Sequence, residues 1–188
     1  MRVAVFIDNS NVYHSLSRIR KTDPTWTITY NPIFLAEKLA GNRRLIGVFF
    51  YCVPPPVYLL SEGISGRGKY WKQMGYFDNI RKLNRVSLKY ARLEGTRDNL
   101  REKNLDTQLV TDMLVLAAQN AYDTAILVAN DGDYASAIAG VEKLGRHIEL
   151  GHFRKGLSHE LRAVCKIAHP LRKSFFIDLT TPKTKTGS

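Results

Sequence analysis

The sequence predicts an α/β fold in which a mainly parallel central sheet is flanked by helices on both faces. Three observations carry that expectation. Short runs rich in β-branched and aromatic residues alternate along the chain with stretches of 3.6-residue apolar periodicity. Several runs, such as VAVFI at 3–7, are apolar at every position, as strands covered on both faces of a parallel sheet must be. The chain has 188 residues, 44% hydrophobic and 24% charged, which suffices for one well-buried layered domain.

The elements follow in order. RVAVFID (2–8) reads as the first strand and runs into a helix over 10–20, with another helix over 32–40. RLIGVFFYCV (44–53) is the second strand. VPPPVYLLSEGISGRGK (53–69) holds a proline triplet and Gly63, Gly66 and Gly68, and reads as a loop before a helix over 67–84. VSLKYARL (86–93) alternates apolar and polar residues, which puts it near a sheet edge. LEGTRDNLREKN (93–104) reads as a charged loop ahead of a helix over 104–120. TAILVAN (124–130) and HIELGHF (147–153) are strands around a helix over 132–144; a short helix over 158–166 and a last strand, SFFIDL (174–179), close the count. Residues 1–178 are expected to form one domain. A disordered tail is expected over 179–188, since TTPKTKTGS has no apolar side chain to bury.

Charge points to the partner. A formal net charge of +11 favours a polyanion such as nucleic acid or an anionic membrane surface, with nucleic acid ahead of a merely solvated lysine-rich surface. The apolar run at the N-terminus is cut by Asp8 after five residues, too short for a signal peptide or membrane anchor. The two cysteines, Cys52 and Cys165, have no metal-type spacing and suggest no disulfide framework, so a cytoplasmic protein is expected.

Carboxylates then gather at one place. The first strand ends in Asp8-Asn9-Ser10-Asn11, four good helix N-caps, yet the carboxyl edge of a strand is also where open α/β sheets bind ligands. A later buried strand ends in Asp131-Gly132-Asp133, and if the two strands are parallel Asp8 and Asp131 emerge at one edge. Asp133 falls in a first helical turn, where a capping role serves equally well. Asp106 shares a helical face with Leu109, Val110, Met113 and Ala117, at offsets of three, four, seven and eleven, so it is expected on the sheet-facing stripe. Asp112 lies about 9 Å further along that helix and is expected to be structural. Such a cluster repels itself without a cation, and hard oxygens suit Mg²⁺ or Mn²⁺, with Asp8, Asp106 and Asp131 as ligands.

VFIDNSNVYHSL, KNLDTQLVTDML and ILVANDGDYASAI resemble the three motifs of NYN-domain proteins of the LabA-like group, related to PIN-domain ribonucleases. The motifs fall on Asp8 and Asn11, on Lys103 and Asp106, and on Asp131 and Asp133. GLSHELRAVCKIAHPL (156–171) resembles the family's closing segment, with Ser158 and Leu161 in the usual places. The resemblance implies a Rossmann-like PIN fold and a metal-dependent ribonuclease site. In it Asn11 positions water or phosphate at the metal, and Lys103 faces the scissile phosphate or balances the acids. Two departures stand out: Ala129-Asn130 where Ser-Gly is common, and Lys166 where an acid is frequent.

Other signals carry less. GISGRGK (63–69) has Walker A spacing, but Tyr70 follows in place of the small hydroxyl that loop needs. The same segment suits nucleic acid better. Lys69 and Lys72 would hold phosphates while Tyr70 and Trp71 stack on bases, although Tyr70, Trp71, Met74 and Phe77 suit core packing equally. Arg97, in the second charged loop, joins Lys69, Lys72 and Lys103 as a candidate phosphate contact. The five histidines form no close ligand pair. The leading expectation is a Mg²⁺- or Mn²⁺-dependent endoribonuclease with Asp8, Asn11, Asp106, Asp131 and Asp133 in its site; DNA as substrate and a homodimer stay open. The alternative is a non-catalytic nucleic-acid-binding or regulatory module. A phosphoacceptor receiver fits poorly, because Asn9 follows Asp8 where an acidic pair is needed.

Overall fold

The computed structural model describes residues 1–24 and 30–176. Six parallel strands form the central sheet: β1 (Arg2–Asp8), β2 (Arg44–Cys52), β3 (Val86–Tyr90), β6 (Thr124–Val128), β7 (His147–His152) and β8 (Ile167–Pro170). They lie in the order β3-β2-β1-β6-β7-β8. β4 (Arg92–Glu94) and β5 (Arg101–Lys103) form a separate antiparallel pair. The helices are α1 (Asn9–Thr22), α2 (Pro32–Ala40), α3 (Gly63–Arg81), α4 (Leu105–Ala118), α5 (Ala135–Lys143) and α6 (His159–Val164).

The period of two along β1 builds the two layers. Val3, Val5 and Ile7 join Val12 and Leu16 of α1, Leu35 and Leu39 of α2, and Phe77 and Ile80 of α3 in one core. Ala4 and Phe6 join Leu109 and Met113 of α4, Ile138 of α5 and Leu161 of α6 in the other. Both faces of the sheet are therefore dry, which is why β1 and β6 carry only apolar residues between their terminal positions. Strand order reverses between β1 and β6, since the chain builds outward first through β2 and β3, then on the other side through β6 to β8. That reversal opens a crevice at the carboxyl ends of β1 and β6.

Three expectations are corrected. Residues 53–69 are not all loop: Val57–Ser61 forms a 3₁₀ turn and α3 begins at Gly63. Gly66 permits this, because a Cβ there would sit 2.4 Å from the Leu59 carbonyl oxygen. The charged stretch 93–104 contains most of the β4–β5 hairpin, pairing Leu93 with Glu102 around a 3₁₀ turn at Arg97–Asn99. The last strand of the sheet is β8, paired parallel to β7, whereas Lys173–Phe175 is a 3₁₀ turn. The rest of the strand expected over 174–179 and the tail over 179–188 lie outside the described residues, apart from Ser174, Phe175 and Phe176. β3 sits at a sheet edge, as its alternation predicts. No helix among the described residues is long and apolar enough to cross a membrane.

The β8 edge is tied down by charge. Arg43, after α2, donates to both oxygens of the buried Glu149 on β7 (2.5 and 3.0 Å), and His169 Nε2 of β8 lies 2.8 Å from Glu149 Oε2.

Candidate active site

Asp8 ends β1 on the side of the sheet that Ala4 and Phe6 share, so its carboxylate enters the crevice facing α4 and α5. It is 1% exposed. Its Oδ1 accepts from the Asn11 backbone N–H at 2.9 Å, the N-cap bond of α1. Its Oδ2 accepts from Asn11 Nδ2 at 2.6 Å and from the Tyr134 hydroxyl at 2.9 Å. Burial raises the Asp8 pKa and repulsion from Asp106 adds to it, outweighing the hydrogen bonds from Asn11 and Tyr134.

Asn11 is held at both ends of its amide. While Nδ2 donates to Asp8, Oδ1 accepts from the Asn130 backbone N–H at 3.1 Å. The side chain thus orients Asp8 against the end of β6, in addition to lining the cleft. Asn130 has its own employment: Nδ2 donates to the carbonyls of Phe153 and Lys155, and Oδ1 accepts from Phe153 N–H. This position departs from the Ser-Gly common in the motif, and its side chain here ties the end of β6 to the segment after β7.

Tyr134 follows the Asp131-Gly132-Asp133 turn and is fully buried. Its hydroxyl lies 2.5 Å from Asp106 Oδ1 as well as 2.9 Å from Asp8 Oδ2. Asp106 itself is exposed, one position off the buried stripe of α4, which runs Leu105, Leu109, Met113 and Ala117. The expectation that Asp106 lies on the sheet-facing stripe is corrected: the helix is turned so that Leu105 enters the core and Asp106 faces the cleft. Asp112 is bound by the Tyr51 hydroxyl at 2.8 Å, with Lys89 at 3.7 Å.

Asp131 caps the 3₁₀ turn Gly132–Tyr134 through the Asp133 N–H and lines the cleft. Gly132 is pressed against Ser158, whose Oγ would be 2.7 Å from an added Cβ. Ser158 caps α6, and its N–H donates to Asn130 O at 2.9 Å, so the closing segment docks directly on this turn. Asp133 is exposed and does not line the cleft. Lys103 pairs with Glu94 across the hairpin at 2.6 Å. Arg97 pairs with Glu62 and lies over the Tyr58 ring, 5.5 Å from its centroid. Lys69 and Lys72 line a separate groove beside the cleft. Lys166, the second departure, pairs with Glu142 at 3.0 Å.

Sequence reasoning missed Glu102 and Tyr134. Glu102 reaches over from β5 to accept from Ser10 Oγ at 3.1 Å, and it lines the cleft. Burial raises its pKa, and repulsion from Asp8 and Asp106 adds to this against the Ser10 hydrogen bond. Only the alternation of a hairpin could have pointed to it. The cleft, of about 270 Å³, thus gathers Asp8, Glu102, Asp106 and Asp131 with Ser10 and Asn11. No three His, Cys, Asp or Glu side chains among the described residues converge as a metal-binding group. The donor set is nonetheless the hard-oxygen kind that Mg²⁺ and Mn²⁺ take, and a cation would relieve the repulsion that, after burial, adds to the raised pKa values of Asp8 and Glu102.

A doubly wound parallel sheet with its acids at the switch point defines a Rossmann-like domain of PIN type. Residues 2–172 match the family model of the NYN domain, and the chain belongs to that family, one of PIN-like nucleases that generally use divalent metals. Among solved structures it is similar to VPA0982, a protein of unknown function from Vibrio parahaemolyticus. That likeness has a TM-score of 0.63 at 15% identity, over 94% of this chain and 96% of that one. No curated protein matches the chain by sequence.

Proposed function

We propose that this protein is a Mg²⁺- or Mn²⁺-dependent nuclease that hydrolyses phosphodiester bonds within RNA. The observation that carries this reading is the gathering of Asp8, Glu102, Asp106 and Asp131 around one cleft in a chain of net charge +11. The basic surface attracts the polyanion, and acids in the cleft would otherwise repel it. Asp8, Asp106 and Asp131 would hold the metal, with Glu102 a fourth oxygen donor. When bound, the ion supplies Lewis acidity toward the phosphate and stabilises charge developing on its oxygens. The protein's own part is orientation: Asn11 and Tyr134 fix the Asp8 carboxylate, and the capped turn fixes Asp131.

A non-catalytic nucleic-acid-binding module is the second reading. It is favoured by one observation, that Asp8 already accepts three hydrogen bonds from Asn11 and Tyr134. Labelled single-stranded and hairpin RNAs incubated in Mn²⁺, Mg²⁺ or EDTA separate the two, using wild type, Asp8→Asn and the exposed-site variant Asp106→Asn. The nuclease reading expects metal-dependent cutting that either substitution reduces at least about 100-fold, the scale of a lost electrostatic contribution at a reacting centre. Equal cutting by all three proteins would point away from this cleft. Binding without cutting in any metal would favour the module.

A further inference from the structure

Beside the acid cleft lies a larger groove, of about 770 Å³, between α1, α3 and the β4–β5 hairpin. Ser10 and Glu102 line both spaces, so groove and cleft adjoin at these two side chains. One wall is α1, which presents Tyr13, 60% exposed, with its ring edge-on to His14 at 5.6 Å. The facing wall is α3, whose Lys69 and Lys72 are three residues apart and therefore share a helix face. Both lysines are exposed, and neither makes an ion pair or hydrogen bond with a described residue. Trp71, although 62% exposed, does not line the groove, and Tyr13 is the most exposed large aromatic ring among the described residues that do.

We propose that this groove is a docking track for single-stranded nucleic acid. Lys69 and Lys72 hold successive phosphates from the α3 wall, and Tyr13 stacks on a base from the α1 wall. The strand then passes Ser10 and Glu102 into the acid cleft, a direction that rests on the nuclease reading above. The chemistry selects the occupant. Two unpaired cations facing an exposed ring match a strand that carries phosphates along one side and free base faces along the other. A duplex keeps its base faces stacked inward and offers Tyr13 nothing to stack on. Glu102, at the junction, is the sole carboxylate among the described residues that line the groove. It keeps phosphates on the lysine side, short of the cleft, until the acids there are neutralised.

The test is binding by the full chain in EDTA, where nothing is cut, read as fluorescence anisotropy of a labelled oligouridylate of about ten nucleotides. Tyr13→Ala should weaken binding about tenfold, and Tyr13→Phe, which keeps the ring, should restore most of it. Lys69→Glu with Lys72→Glu should weaken binding at least about tenfold and flatten the salt dependence by about 1.4, two phosphates' worth for a single strand. Lys82→Glu with Lys143→Glu makes the same charge change outside the groove and should have a much smaller effect. A hairpin duplex should bind more weakly and ignore Tyr13→Ala.

Several results would overturn the track: wild-type affinity in Tyr13→Ala or in the lysine double variant, equal losses from the control pair, a duplex bound as tightly as the single strand, or a polyglutamate peptide competing as well as RNA. The nuclease reading is judged separately, by Mn²⁺-dependent hydrolysis of bis(p-nitrophenyl) phosphate in wild type against Asp106→Asn. Failure there would leave the groove's binding result to stand or fall alone.

Discussion

A single phenolic proton stands between two carboxylates in the cleft, because the Tyr134 hydroxyl lies within hydrogen-bond distance of both Asp8 and Asp106. A phenol donates only once, so one of the two contacts is electrostatically weak unless a carboxyl group carries a proton. Burial and the adjacent Asp8 charge push the Tyr134 phenol well above its ordinary value, so the hydroxyl keeps its proton. Tyr134→Phe removes the shared donor and leaves Asp8 buried with less to balance it. Urea unfolding in EDTA should show a loss of about 1–3 kcal/mol, the scale of a lost hydrogen bond to a buried charged group. Because a cation would take over the same screening, the loss should shrink when Mn²⁺ is present. An identical loss in both buffers would mean that the hydroxyl and a metal do not act on the same charges.

At the scale of the element, α3 carries four glycines with opposite roles. At Gly66 a Cβ would meet the Leu59 carbonyl oxygen at 2.4 Å and Glu62 Cβ at 2.5 Å, so the 3₁₀ turn at Val57–Ser61 packs on bare backbone. At Gly75 a Cβ would meet nothing within 4 Å. Gly66→Ala should therefore destabilise by about 1–3 kcal/mol, as overpacking does. Gly75→Ala should stabilise by about 0.5–1 kcal/mol, since alanine in a helix interior restricts the unfolded chain without strain. Paired denaturation curves decide it; equal effects of the two changes would contradict the packing described for the start of α3.

Across the whole molecule, stability should depend on pH through carboxylates shifted in opposite directions. Burial works to raise the Glu149 pKa, but hydrogen bonds from Arg43 and His169 outweigh it and hold it below 4.5. A depressed value means that Glu149 stabilises the fold above its unfolded pKa and loses that contribution as pH falls through the folded one. Asp8 and Glu102 are raised, so their contributions run the other way, present in acid and lost as pH climbs through their folded values. Glu149→Gln leaves Arg43 without its partner and should cost about 3 kcal/mol near neutrality. Thermal midpoints between about pH 6 and about pH 3 should then fall less steeply in the variant than in wild type. Parallel curves would show that another group sets the acid limb.

The strands, the parallel sheet and the acids at its edge could be read from the sequence because each is a local pattern. Unbroken apolar runs at β1 and β6 require cover on both faces, and polar residues directly after them must emerge where those strands end. Asp8 and Asp131 were legible as cleft residues for that reason, whereas Asp106, in the first turn of α4, was named from a helical face that the structure turns by one position. Asp133 was named with them on the same pattern, yet its side chain lies outside the cleft, because capping and lining are not separable within a three-residue turn. Glu102, Tyr134 and the groove depended on where distant segments meet: Glu102 lies 92 positions from the serine it accepts from, and Tyr134 lies 126 from the aspartate it donates to. The hairpin carrying Glu102 is too short and too charged to announce itself as strand, and β8 exists through its pairing with β7. The sequence by itself determined which side chains end the buried strands, since burial is settled by local apolar pattern. Tertiary structure decided which of those acids share a cleft, because that depends on strand order and on side chains from distant segments closing over it.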